Sequence, residues 1–242
     1  MLKDNDIMNY KISSIIWKFG IISLLTVMSN IQLIAEDESN ISGWFRTDTD
    51  SHGTQIWFGA SHPFGGLEID SDIYVVGATG EFDIGPLFTL IKKEDSKDSL
   101  VVLPMIGLTF DFEAMNIATF VPQLYTFSTI GSIYFESWLM SFLNSPFDEE
   151  AGNQFYTRNF LLYALGDVVS VGPQLEVTLN LSGKDESGNE LDSLASCAIG
   201  GKVHLKYGKN NTLGLFLGSE IREEEREGND GIVGRLTFVR KW

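Results

Sequence analysis

The chain has 242 residues, of which 17 are Lys or Arg and 33 are Asp or Glu, so its formal net charge is −16. Such acidity excludes a nucleic-acid partner, because phosphates require a basic surface. Hydrophobic residues make up 43% of the chain, which is enough for a packed core. The one cysteine, Cys197, allows no intramolecular disulfide.

Residues 1–35 are predicted to be a secretory signal peptide, which leaves residues 36–242 as the folded domain. Lys11 and Lys18 precede an apolar stretch that runs from Phe19 to about Val27, and the small residue Ala35 precedes an acidic segment. A basic start, a short apolar core and a small residue before the cleavage site are typical of exported proteins. The alternative is a transmembrane anchor, for which the apolar run is short.

From residue 40 onward the dominant period of the sequence is two. In residues 169–182 every odd position is apolar and every even position is small or polar; in residues 99–112 the even positions form an unbroken apolar face. Successive side chains of a strand point to opposite faces. The pattern therefore predicts β-strands with one apolar and one polar face.

Clusters of Gly, Asn, Asp and Ser divide this region into about twelve strands. Many of them run for 10–14 residues, and a tilted strand needs about 9–11 residues to cross a bilayer. The predicted strands cover residues 42–49, 54–63, 66–77, 81–92, 99–112, 116–128, 132–144, 155–165, 168–182, 192–207, 211–223 and 231–242.

An even number of strands places both termini on one side of a barrel. By strand parity, the connections on the other side are on average longer and more acidic, which is typical of external loops. The long turn after residue 92 is an exception. Four prolines lie inside predicted strands, where each removes a hydrogen-bond donor, so bulges or rim positions are expected at Pro86, Pro104, Pro122 and Pro173.

The last strand carries alternating apolar residues and ends on an aromatic residue, with Arg240 as the one break; the pattern consists of Gly234, Leu236, Phe238 and Trp242. This ending resembles the C-terminal signal of Gram-negative outer-membrane β-barrels. With the signal peptide and the alternation, the resemblance covers nearly the whole chain, although it is architectural and selects no specific family. It implies an all-β, antiparallel, up-and-down transmembrane β-barrel of about twelve strands in the bacterial outer membrane.

The alternative fold is a soluble β-sandwich or lipocalin-like protein, in which the apolar face would point inward. The barrel is favoured by the strand lengths, the even count and the final tryptophan. In a barrel the polar face lines the lumen, because a Lys or Arg facing hydrocarbon costs about 2–4 kcal/mol at the bilayer midplane. The expected lumen residues are Glu68, Asp70, Asp72, Glu81, Asp83, Glu136, Gln174, Glu176, Lys202, His204, Lys206, Glu220 and Arg235.

The acids on the third and fourth strands could attract cations, or they could be paired with lumen Arg and Lys side chains. Lys202, His204 and Lys206 form a basic line on the tenth strand. Acids on one wall and bases on the other are typical of a selective channel with a transverse electric field, and equally of a narrow barrel that is filled by salt bridges. Barrels of about 8 strands are filled by side chains and those of 16–18 strands are open. A barrel of twelve strands could therefore be either open or filled.

The predicted function is a passive channel for small polar or cationic solutes. The alternative is a non-conducting structural or adhesive barrel that works through acidic external loops. We expect no enzyme, because Ser61 and His62 are adjacent and so point to opposite faces. We expect no metal and no cofactor, and we interpret the acidic loops as solvated.

The expected partners are outer-membrane lipid and small polar solutes, and the expected state is a monomer. Interfacial girdles favour aromatic residues. Trp44, Trp57, Trp138 and Tyr207 are candidates for such girdles, although lumen filling is an equal alternative for Trp57 and Trp138.

Overall fold

The computed structural model describes residues 41–51, 53–93, 96–148, 151–185, 187–222 and 231–242. The predicted signal peptide lies outside these residues. The described chain forms twelve antiparallel strands, each hydrogen-bonded to the next, and β1 also pairs with β12 to close the ring. No helix in the part of the chain that the structure describes is long and apolar enough to span a membrane.

Every predicted strand is present, and its ends lie within three residues of the predicted bounds. The strands are β1 (Ser42–Asp50), β2 (Gly53–Phe64), β3 (Leu67–Val76), β4 (Thr79–Lys92), β5 (Ser99–Asp111), β6 (Asn116–Ile130), β7 (Ile133–Phe142), β8 (Gln154–Ala164), β9 (Val169–Asn180), β10 (Leu194–Tyr207), β11 (Asn211–Glu220) and β12 (Ile232–Lys241). The prediction of an all-β, twelve-stranded antiparallel barrel is therefore confirmed.

The β2–β3 turn shows how the sequence makes a tight reversal. Phe64 pairs with Leu67, so only Gly65 and Gly66 separate the strands, and both have positive φ, at 54° and 88°. A two-residue hairpin turn with positive φ at both positions matches the twist of the strands it joins, and glycine adopts it without steric cost.

The outer surface is apolar. On β11 and β12 the side chains of Leu215, Leu217 and Leu236 are about half exposed, whereas their neighbours Phe216 and Thr237 are buried inside. This arrangement is the reverse of a soluble protein, in which the apolar face of each strand would be covered. It corresponds to the lipid-facing band of a transmembrane barrel.

The four strand prolines lie at or next to interruptions of the hydrogen-bonded ladders. Between β4 and β5, paired positions stop at Ile84–Ile106 and resume at Phe88–Val102, and Pro86 faces Pro104 in the gap. Between β8 and β9, pairing stops at Phe160–Gln174 and resumes at Tyr163–Val171, with Pro173 in the gap. Pro122 lies just beyond the β6–β7 pairs, which end at Gln123–Met140. Local breaks in the ladder thus absorb the missing donors.

Candidate functional site

The interior of the barrel is lined by charged and aromatic side chains that come from almost every strand. Most of the thirteen predicted lumen residues are buried there: Asp70, Asp72, Glu81, Asp83, Glu136, Gln174, Glu176, Lys202 and Glu220. Glu68, His204 and Arg235 are partly buried, and Lys206 is exposed near the end of β10.

Four carboxylates of β3 and β4, which we call the acid wall, lie side by side: Asp70, Asp72, Glu81 and Asp83. Asp72 faces Asp83 directly in the ladder, and both are at least nine-tenths buried. Strand alternation puts all four on the inner face because their positions are even on β3 and odd on β4.

Two neutral side chains outside the acid wall donate hydrogen bonds to it. The Ser61 hydroxyl donates to Asp70 Oδ1 at 2.7 Å. The Gln123 amide nitrogen donates to Glu81 Oε1 at 2.7 Å and also to Asp83 Oδ1. Among the described residues, no Lys or Arg forms an ion pair with any carboxylate of the acid wall. Within the described part of the chain, the acid wall is therefore held by hydrogen bonds and not by ion pairs.

A glycine makes room for this arrangement. Gly107 of β5 faces Asp83 of β4, and a side-chain carbon at residue 107 would overlap the Asp83 carboxylate and crowd the Gln123 amide. Any other residue type at this position would push the acid and the amide apart.

Elsewhere in the lumen, Arg and acidic side chains from β1, β7 and β8 form ion pairs across the barrel. Asp48 of β1 accepts from Arg46 on its own strand, with Nη2–Oδ2 at 2.9 Å, and from Arg158 of β8, with Nη1–Oδ2 at 3.1 Å. Arg46 also lies 3.7 Å from Glu136 of β7. We call this set, Arg46, Asp48, Glu136 and Arg158, the cross-barrel network.

A second group of ion pairs lies beside the cross-barrel network. Arg235 of β12 binds Glu176 of β9 with Nη1–Oε1 at 2.5 Å and Asp50 of β1 with Nη2–Oδ2 at 2.9 Å. The Tyr156 hydroxyl donates to the other Glu176 oxygen at 2.9 Å. Buried ion pairs are stable only when their remaining lone pairs and protons are also bound, and Tyr156 serves that purpose here.

Aromatic rings fill the space between these charges. Trp57 of β2 and Trp138 of β7 meet edge to face with centroids 6.1 Å apart, and Tyr125 lies 5.2 Å from Trp138. The Arg158 guanidinium stacks on Trp138 at 3.6 Å, while Trp138 Nε1 donates to Glu136 Oε1 at 2.8 Å. Because Arg158 is only 2% exposed, side chains fill the lumen at this level.

Of the two alternatives for the tryptophans, the structure supports lumen filling for Trp57 and Trp138. Trp44 also packs against this interior cluster, so the girdle prediction is wrong for it. Tyr207 is about half exposed on the outer surface and is the one of the four that fits a girdle.

The predicted basic line on β10 divides into three different environments. Lys202 is 1% exposed and its Nζ lies 4.4 Å from the centre of the Phe160 ring. The His204 ring meets the same phenylalanine edge to face, whereas Lys206 is exposed. Of these three residues, only Lys202 is therefore fully buried in the lumen.

Sequence reasoning missed three of the four residues of the cross-barrel network: Arg46, Asp48 and Arg158. A signal for the first two exists on β1, where Trp44, Arg46, Asp48 and Asp50 alternate with smaller or apolar residues. On β8 the signal is obscured, because the outer face carries Thr157 and Asn159 and the inner face carries Phe160 and Leu162.

Ser61 and His62, considered as a possible catalytic pair, lie on opposite faces of β2. Ser61 points inward to Asp70, and His62 pairs with Ile69 at the adjacent, outward-facing position.

Within the described residues, no group of three or more His, Cys, Asp and Glu side chains could hold a metal ion.

Comparison with protein-family models and with curated protein sequences gives no match. Solved structures do match. A KdgM porin aligns at 13% identity and TM-score 0.47, and a NanC porin at 10% and 0.49; each alignment covers 83% of this chain and 98% of the other. A chain from a study of in-meso crystallisation of membrane proteins aligns at 8% and 0.51, over 83% of both chains.

The closed ring and the apolar outer surface decide the architecture. The chain is an outer-membrane-type β-barrel. At identities this low the likeness extends to the fold alone, so the chemistry of the lumen has to be argued from the residues of this chain.

Proposed function

We propose that this barrel is a narrow outer-membrane channel through which small polar or cationic solutes diffuse passively. The observation that carries the proposal is the acid wall, whose four carboxylates face the lumen without a cationic partner among the described residues. Ionised carboxylates that line a lumen attract cations and repel anions.

The remaining charges of the lumen add little net field. Arg46, Arg158 and Arg235 are each held by carboxylates at 3.1 Å or less, so their positive charge is largely neutralised locally. We therefore expect the acid wall, where it is ionised, to set the electrostatics of the pathway.

The proposal also covers the cellular location and the oligomeric state of the protein. The chain is exported by a signal peptide that is cleaved near Ala35, it is inserted as a monomer in the bacterial outer membrane, and its partners are lipid and the diffusing solute. Passage requires the side chains of the aromatic cluster to rotate, because Trp57 and Trp138 fill the lumen in the structure described here.

Single-channel recording of the refolded chain in planar bilayers, under a salt gradient, tests this proposal. We expect small stepwise openings with a reversal potential shifted toward the cation value. Converting Asp70 and Asp72 to Asn should reduce that shift. The matched control is Glu113→Gln, which removes one negative charge from the exposed β5–β6 loop and should leave the selectivity unchanged.

A second candidate function is a non-conducting structural or adhesive barrel. It is favoured by the cross-barrel network, because Arg46–Glu136 and Arg158–Asp48 join opposite walls and fill the lumen together with Trp138. Absence of any current from a barrel whose folding is verified by its heat-modifiable migration on a gel would reject the channel in favour of a non-conducting barrel.

A further inference from the structure

We infer, building on the proposed channel function, that the acid wall binds the ammonium group of amine-bearing solutes. The site consists of Asp72, Glu81 and Asp83, with the hydroxyl of Thr109 beside them. Asp70 and then Glu68, which is partly exposed on the inner face of β3, continue the acids toward the mouth on the side of the chain termini.

The first argument is charge. Asp72 and Asp83 are opposite each other in the β3–β4 ladder, and Glu81 is two residues from Asp83 on the same inner face. All three are nine-tenths buried or more. Ionisation of buried carboxyl groups that have no cationic partner is strongly unfavourable, so a positively charged ligand would stabilise their ionised form in this part of the lumen.

The second, independent argument is an unfilled acceptor. Thr109 of β5 pairs with Glu81 across the ladder, so its side chain faces the same interior. Thr109 is buried, and its hydroxyl has no hydrogen-bond partner among the residues that the structure describes. A buried hydroxyl without a partner indicates that a polar group is missing from this position.

The third argument concerns the type of cation. The Gln123 amide nitrogen donates to both Glu81 and Asp83. A single nitrogen that carries several hydrogens can therefore bridge these two side chains. An ammonium group is also such a nitrogen, with three donors and a charge in addition. A metal ion is disfavoured, because in residues 41–242, leaving aside the undescribed positions, no trio of acidic or imidazole side chains is arranged to hold one.

Two probes of equal charge separate hydrogen bonding from simple attraction. Methylammonium carries three N–H donors, and tetramethylammonium carries none. We expect methylammonium to raise the thermal unfolding midpoint of the refolded full chain by several degrees with a saturable, millimolar dependence. We expect tetramethylammonium and potassium, at the same ionic strength, to shift the midpoint by a degree or less.

The site variant is the double change Glu81→Gln and Asp83→Asn, and its control is Glu113→Gln in the β5–β6 loop. The site variant should lose the stabilisation by methylammonium while keeping its heat-modifiable migration, and the control should keep both. Equal stabilisation by all three cations, or an undiminished effect in the site variant, would overturn the inference. Stabilisation by micromolar Ca²⁺ that displaces methylammonium would overturn it in favour of a metal site.

Because this readout is thermal, it is separate from conductance. A barrel that binds methylammonium but passes no current would retain the site and reject the channel. A barrel that conducts but is not stabilised by methylammonium would retain the channel and reject the site. In the conducting case, the same probe should also reduce potassium current in the wild-type chain and not in the site variant.

Discussion

Arg46 of β1 and Glu136 of β7 form an ion pair across the full width of the barrel, with Nη1 and Oε1 3.7 Å apart. Their strands are six positions apart in a ring of twelve and are thus diametrically opposite. Two long side chains that meet in the middle leave no straight aqueous path between them. The ion pair that joins the two walls of the barrel therefore also obstructs its lumen.

Removal of one partner from the cross-barrel network should be strongly destabilising. Arg158→Met leaves Asp48, which is fully buried, with one arginine fewer, and breaking a buried pair typically costs about 3–5 kcal/mol. Urea unfolding followed by tryptophan fluorescence measures the change. The matched control is Lys93→Met, which breaks the exposed Lys93–Asp98 pair at 3.1 Å and should cost less than about 1 kcal/mol; equal losses would contradict the buried network.

Trp138→Ala should open the lumen. Its ring contacts Trp57, Tyr125 and both Arg46 and Arg158, so its removal leaves a large void and costs about 3–5 kcal/mol of stability. We expect a several-fold larger single-channel conductance than in the wild-type chain. Tyr207→Ala, which removes an aromatic ring from the outer surface, should leave the conductance unchanged.

The orientation of the two faces can be tested on β10 and β11. Leu215 faces outward and is 44% exposed, so Leu215→Lys places a charge in hydrocarbon and should cost about 2–4 kcal/mol. Tyr207→Lys, at the end of β10, lies near the interface and should cost no more than about 1 kcal/mol. Unfolding titrations in lipid vesicles give both values. Similar small costs at the two positions would argue that the outer surface does not face lipid.

The closure of the ring depends on a glycine opposite the last residue. Gly43 and Trp242 exchange two backbone hydrogen bonds, at 3.1 and 3.0 Å, and a side-chain carbon on Gly43 would overlap the indole ring. Gly43→Ala should therefore destabilise the barrel by about 1–3 kcal/mol. The double variant with Trp242→Ala should recover part of that loss, because the overlap is removed. Additive losses in the double-mutant cycle would exclude this explanation.

Acid should release the β4–β5 turn before it unfolds the barrel. A hydrogen bond from the Gly131 amide, together with one from Lys93, lowers the pKa of Asp98. A lowered pKa means that this contact stabilises the turn above the ordinary aspartate pKa of about 3.9 and is lost as the pH falls below it. The amide signal of Gly131 in an NMR titration should shift in that range. Asp98→Asn should abolish this shift.

The strands were predictable because a period of two is a local property of the sequence. The position of the acid wall followed from the same alternation, since Asp70, Asp72, Glu81 and Asp83 lie on clearly amphipathic strands. The cross-barrel network was not predictable. Arg46 and Glu136 are 90 residues apart in sequence, and their contact exists only because the ring closes at twelve strands. The inner face of β8 is also partly apolar, so Arg158 gave no periodic signal.

The interrupted ladders at Pro86–Pro104 and at Pro173 have a mechanical consequence. The β4–β5 and β8–β9 ladders, each with one local gap, separate strands β5–β8 from strands β9–β4. Each bridge described above, Arg46–Glu136, Asp48–Arg158 and Trp57–Trp138, runs from one of these two sets of strands to the other. Because each gap removes some of the hydrogen bonds between the two sets of strands, the three bridges hold the sets together from inside the lumen.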